Sequence, residues 1–78
     1  MAAVPEADRP LFDALRAWRK DRASEQGVPP YVIFHDKTLL DIARARPTSG
    51  PALARVAGVG EGKLARYGEG VLKVVRDN

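Results

Sequence analysis

Two adjacent prolines, Pro29 and Pro30, fall inside a 78-residue chain and lead straight into the apolar run Tyr31-Val32-Ile33-Phe34. Each proline disfavours helical backbone for the residue before it, so Val28-Pro29-Pro30 is extended and an upstream helix must stop short of it. By composition the apolar run suits a buried strand, but no second segment of the chain offers a strand to pair with it. The run therefore reads as a short buried helical turn with Val32, Ile33 and Phe34 in the core. The chain as a whole reads as all-α.

Helical spacing organises the rest. Leu11, Ala14, Leu15 and Trp18 recur at helical intervals over roughly 8–26, with Asp8 as N-cap, Pro10 in the first turn and Gly27 at the end. Trp18 fills a large core position. Arg9, Asp13, Arg16, Arg19, Lys20 and Arg22 form the opposite, charged face, where Asp13 partly cancels Arg9 and Arg16. A helix capped by Asp36 turns Leu39, Leu40 and Ala43 inward and Lys37, Asp41 and Arg44 outward until Pro47 stops it. Ser49 caps a short helix with Pro51 in its first turn and Leu53, Ala54 and Val56 available for packing, ending at Gly58. After the tight turn Gly58-Val59-Gly60, a last helix over roughly 61–76 carries the stripe Leu64, Tyr67, Gly68, Val71, Leu72 and Val75, in which Gly68 and Gly70 permit a kink or close packing. The sum is a compact orthogonal bundle of about five helices in a single domain, 8–78. Residues 1–7 are small, aperiodic and proline-containing, and are taken as a linker or chain end outside the fold.

A domain this small hides only about 60% of its unfolded surface, which leaves little interior to shelter a reacting centre. There is no cysteine and one histidine, so thiolate zinc sites, imidazole clusters and disulfides are excluded. Gly58, Gly60 and Gly62 miss both glycine-loop fingerprints: Lys63 stands where a dinucleotide loop needs its third glycine, and Leu64 where a Walker loop needs Ser or Thr. The few hydroxyls lack a supporting nucleophile motif, and the carboxylates Asp36 and Asp41 sit beside Lys37 and Arg44, a pattern of solvated charge pairing. No catalytic residue, metal site or cofactor is expected. No apolar run approaches the roughly 18 residues of a membrane span, and the first residues lack the blocks of a secretory signal, which makes the cytoplasm the expected location.

The net charge of +3 is uneven: residues 1–39 carry six basic and six acidic side chains, and residues 40–78 seven and four. A local basic excess favours phosphate-bearing partners, with a merely solvated charged surface as the alternative.

Three segments, LFDALRAWRKDRA, VPPYVIFHDKTLLDIA and VAGVGEGKLARYGEGVLKVV, together resemble the HRDC family, the helicase-and-RNase-D C-terminal module. The likeness covers roughly residues 10–76. PPYVIFHDKTL is closer to the form found in RecQ helicases than to that of ribonuclease D, and Gly58 to Gly68 supply the second signature. The resemblance implies a SAM-like, helix-hairpin-helix-related bundle serving as a non-catalytic accessory module. It binds single-stranded or partial-duplex DNA weakly and directs an attached ATP-dependent helicase to particular DNA structures in recombination and repair. The resemblance also places an aromatic DNA contact at Tyr31; the alternative packs that ring into the core. Lys63 after the Gly58–Gly60 turn resembles the second half of a helix-hairpin-helix, where backbone N–H groups and a lysine meet a phosphate, although both glycines equally suit a helix ending. Arg66 lies one turn on and extends that basic edge. His35 and Lys37 border the Tyr31 surface as further candidate contacts. The expected partners are DNA and other domains of the parent helicase, for an isolated monomer that reaches the bacterial nucleoid through that parent. Docking on those other domains is the alternative function, motivated by the mixed charge; an RNA-binding accessory of the ribonuclease D type is a third.

Overall fold

A computed structural model describes residues 4–78. Five α-helices follow a 3₁₀ turn at Glu6–Asp8: α1 (Arg9–Gln26), α2 (Pro30–Ile33), α3 (Asp36–Ala45), α4 (Gly50–Ala54) and α5 (Glu61–Asp77). The described residues contain no strand, as the unpaired apolar run requires. α1 packs on α2, α3 and α5, and α4 lies against α5. Leu11, Leu15, Ile33, Leu39, Ile42, Leu53 and Val71 are fully buried where these faces meet.

Most boundaries follow from local chemistry. Gly27 adopts left-handed backbone at φ 66, and the N–H groups of Gly27 and Val28 return to the carbonyls of Ser24 and Ala23, closing α1 with the paired bonds of a Schellman ending. Pro29 is extended at ψ 150, so α2 starts afresh at Pro30. The Ser49 hydroxyl accepts from the Ala52 N–H at 3.2 Å and caps α4, which ends at Ala54; turns rather than helix lead on to Gly58.

Other expectations need correction. Residues 4–7 are not outside the fold: Val4 packs against the core, and the 3₁₀ turn touches α1 and α3. Met1 to Ala3 lie outside the described residues. Because that turn runs directly into α1, Asp8 already has helical backbone and its carboxylate caps nothing. The cap position of α3 belongs to extended His35, not Asp36, whose carboxylate is drawn to Arg19. Arg19 itself is buried rather than on the outer face. Val32 is exposed, because a single turn of helix buries only one side and that side carries Ile33; Phe34 is buried on extended backbone.

Trp18 is half-buried against the core, its ring edge-on to Tyr67 at 5.7 Å and tilted to Phe34 at 6.2 Å. Gly70 faces that indole: a Cβ there would lie 2.9 Å from the Trp18 Nε1. Gly62, in contrast, looks into open space. Gly70→Ala therefore displaces a ring wedged between two others and should lower stability by about 1–3 kcal/mol. Gly62→Ala should raise it by about 0.5 kcal/mol through helix propensity alone. Urea denaturation of the two variants checks the opposite signs.

Candidate nucleic-acid interface at the second helix

α2 is one helical turn, too short to persist unaided, and its last carbonyls have no partner within the helix. Side chains from two other helices supply the donors. The Lys63 Nζ lies 2.5 Å from the Val32 carbonyl oxygen and 2.6 Å from that of Ile33. Arg19 donates from Nη1 to the Phe34 carbonyl at 2.9 Å, while its Nη2 meets the Asp36 carboxylate at 2.7 Å. Three successive carbonyls are thus held by two cations, the arrangement favoured at the negative end of a helix. The Lys63 ammonium also stands 5.5 Å from the centre of the Phe34 ring and 5.9 Å from that of Tyr67, within cation–π range.

With Ile33 and Phe34 turned inward, Tyr31 points out, 60% exposed. Its ring lies 6.0 Å from the His35 imidazole at an interplanar angle of 32°. Tyr31 and His35 form a ridge between two shallow clefts. One, of about 310 Å³, is completed by Lys63, Gly58 and Thr38; the other, of about 540 Å³, by Arg19, Pro30 and Lys37. The alternative of a Tyr31 ring packed in the core is overturned.

The structure therefore brings five of the seven singled-out residues together: Tyr31, His35, Gly58 and Lys63 around one cleft, with Lys37 across the ridge. Gly58 has φ 91, and a Cβ there would run into the Thr38 hydroxyl, so this position demands glycine. Gly60 lies outside both clefts at an ordinary extended φ of −83 with open space before it, and nothing in its geometry requires glycine. Arg66 does not extend the Lys63 edge. Three residues along a helix leave side chains about 60° apart, and with Lys63 drawn onto α2, Arg66 lines a separate hollow with Gln26 and Tyr67. There the Gln26 amide donates to the Tyr67 hydroxyl at 2.7 Å and ties the end of α1 to α5.

Charge on the ridge is largely paired. Besides the Arg19–Asp36 contact, Lys37 lies 3.0 Å from Asp41 across one helical turn. Lys63 makes no ion pair among the described residues, and two of its three hydrogens point at carbonyls. The ridge thus offers aromatic faces and about one net positive charge. Sequence reading missed Arg19, although its signal was present: Leu11, Leu15, Arg19 and Ala23 are spaced by four and are all buried.

The sequence profile of the HRDC domain matches residues 8–75. The ATP-dependent DNA helicase UvrD2 of Mycobacterium tuberculosis is 45% identical over 71 residues, which is 91% of this chain and 10% of that protein. The ATP-dependent DNA helicase RecQ of Bacillus subtilis is 44% identical over 75 residues, 96% of this chain and 12% of that protein. The chain thus spans about a tenth of the length of these relatives. The solved structure of Deinococcus radiodurans RecQ HRDC domain 3 superposes with a TM-score of 0.87 at 33% identity, covering 90% of this chain and 92% of that one. The HRDC1 domain of the RecQ helicase from the same organism is 60% identical, with a TM-score of 0.62 over 90% of this chain and 93% of that one.

Lys63→Met keeps the aliphatic stem but removes both carbonyl bonds. For a half-buried ammonium the loss should be about 1–2 kcal/mol, lowering Tm by about 5–10 °C in a domain of this size. Thermal unfolding followed by circular dichroism checks this, with the exposed Lys73→Met expected to leave Tm within about 2 °C.

Proposed function

Because this chain belongs to the HRDC family, we propose that it is a non-catalytic module of a RecQ-type or related ATP-dependent DNA helicase that binds single-stranded or partial-duplex DNA weakly. The observation that carries this reading is the exposed Tyr31 ring beside His35 on a ridge between two clefts. Stacking a base on an aromatic side chain contributes about 1–3 kcal/mol and tolerates any base. Tyr31 is the stacking face, and His35 extends it. Lys37 and the remaining hydrogen of Lys63 meet the flanking phosphates, while Gly58 lets backbone approach the strand without a side chain in the way. Gly60 and Arg66 stand apart from this grip, Arg66 touching the strand only if it runs on past Tyr67.

The paired charges set the strength. With about one uncompensated positive charge on the ridge, few counterions are released on binding, and affinity stays low with a shallow salt dependence. Tethering makes this sufficient. A weak site joined by a linker to a helicase motor meets DNA already held by that motor at a millimolar effective concentration. A dissociation constant of about 10–100 micromolar for the isolated monomer is then useful, since the module biases which DNA structure the motor engages rather than capturing DNA alone. Repair and recombination in the bacterial cytoplasm, at the nucleoid, follow from the helicase reading. No described helix is long and apolar enough to cross a membrane.

One observation favours a second reading. Pro29, Pro30, Tyr31 and Val32 form an exposed, largely uncharged surface whose neighbouring charges are already paired, which also suits docking on another domain of the same helicase.

Fluorescence anisotropy of a labelled single-stranded oligonucleotide separates the two. Tyr31→Ala should weaken binding by about ten-fold or more while leaving Tm and the salt slope nearly unchanged, since it removes stacking and no charge. Undiminished binding by this variant removes the ridge from the DNA site. Absence of DNA binding by the wild-type chain, together with Tyr31-dependent association with the rest of the helicase, favours docking.

A further inference from the structure

The basic excess of the second half of the chain does not gather at the Tyr31 ridge. Arg46 and Arg76 converge instead on a cleft of about 470 Å³ with Thr48 at its side and Pro47, Leu72 and Val75 as its apolar lining. Its charge is only partly neutralised: Arg46 makes no ion pair among the described residues, and Arg76 meets Asp77 at 3.9 Å. Arg46 donates to the Asn78 carbonyl at 3.4 Å, which leaves most of its five donors free.

The backbone at this cleft is also unusual. Arg46 ends α3 in left-handed conformation, φ 46 and ψ 58, and is the one non-glycine residue at positive φ among the described residues. Glycine or asparagine fits that position with less strain. An arginine held there, with Pro47 fixing the chain beyond it, aims a guanidinium into the cleft from a rigid corner.

We propose that Arg46 and Arg76 form a second nucleic-acid contact, directed at the phosphodiester backbone of duplex DNA and separate from the Tyr31 ridge. Guanidinium groups match phosphate oxygens in paired, planar fashion, and this cleft offers two of them with no aromatic face for a base. Arg76 lies thirteen residues beyond Lys63 on the same helix, about 20 Å along its axis and about 140° around it, so the two contacts face different sides of α5. A ligand that reaches both must turn around α5 between them, as a junction can, with the unpaired strand on Tyr31 and the adjoining duplex on Arg46 and Arg76. The junction reading rests on the function proposed above; the duplex contact does not.

Amide chemical shifts of this chain, titrated with three probes, test it: a trinucleotide of thymidines, a blunt duplex of about one helical turn, and that duplex with a three-nucleotide overhang. The trinucleotide should move signals around Tyr31 and His35, the duplex those of residues 46–48 and the last turn of α5, and the overhang probe both, with the tightest binding. Arg46→Asn with Arg76→Gln should weaken duplex binding about ten-fold and reduce the salt slope by about two, while leaving trinucleotide binding unchanged. Arg46→Asn alone should not lower Tm, because asparagine accepts the left-handed backbone. Duplex binding that ignores the double substitution, or shifts that avoid the cleft, overturns the proposal. So does a polyglutamate peptide that occupies the cleft more tightly than the duplex, which would make the surface protein-directed. A trinucleotide that leaves Tyr31 unmoved, with the duplex still at Arg46 and Arg76, overturns the ridge reading and leaves this one standing.

Discussion

The hold that Lys63 and Arg19 exert on three consecutive carbonyls is the constraint on which the Tyr31 surface depends. One turn of helix between a double proline and an extended Phe34 fixes its own backbone with almost no internal bonds, a costly nucleus with no propagation to offset it. The missing partners come from α1 and α5, far apart in sequence, so the observed end of α2 depends on both of those helices. Lys63 then does more than donate. Its charge sits over the Phe34 and Tyr67 rings, and those rings pack on Trp18, which Gly70 allows to approach α5. The exposed ring of Tyr31 is in this sense a surface consequence of the core beneath it.

That dependence changes the role of the lysine. A sequence reading that sets Lys63 after a glycine turn treats it as a free charge reaching for phosphate. In the folded chain its nitrogen is already shared between two carbonyl oxygens, at the point where α2 ends. The two roles compete for one ammonium, and the distances assign most of it to structure. What remains for a ligand is one hydrogen and a partly screened charge, which is why the ridge is better described by its aromatic faces than by its electrostatics.

Elements whose signals are local were legible in the sequence. The left-handed ending at Gly27 and the Ser49 cap depend on residues within a turn of one another, the span of α5 on one continuous apolar stripe, and the absence of strands on the lack of any partner for the apolar run. The misreadings share a different cause. Arg19 looked like one more member of a charged face because its partners, Phe34 and Asp36, are fifteen and seventeen residues away. Asp36 looked like a cap because the guanidinium that diverts it belongs to another helix. Arg66 looked aligned with Lys63 because helical spacing does not register that one of the two is drawn inward. Val32 looked buried because composition does not say how many sides a single turn can hide. In the candidate site, Tyr31 rests on the family resemblance, against its apolar neighbours, and His35 and Gly58 on their local turns, whereas the roles of Lys63, Arg19 and Arg66 are set by tertiary contact.

The separation of stacking from charge bears on how such a module can discriminate. A single surface rich in both would bind any exposed strand tightly and in a strongly salt-dependent way, with little regard for structure. Here two of the ridge's three cations are paired with carboxylates, while Arg46 and Arg76 line a separate cleft near the far end of α5, about 20 Å along the helix axis from Lys63 and about 140° around it. Two weak contacts at a fixed spacing respond to the geometry of the ligand, because only a partner that reaches both adds their free energies. Rigidity is what makes the spacing meaningful. α5 is a continuous helix of seventeen residues, the Arg46 backbone forms a left-handed corner followed by a proline, and α2 is clamped at its end. A flexible arrangement of the same side chains would adapt to any nucleic acid; on the reading proposed above, this one favours a partner in which unpaired bases and a phosphate backbone hold a fixed relation.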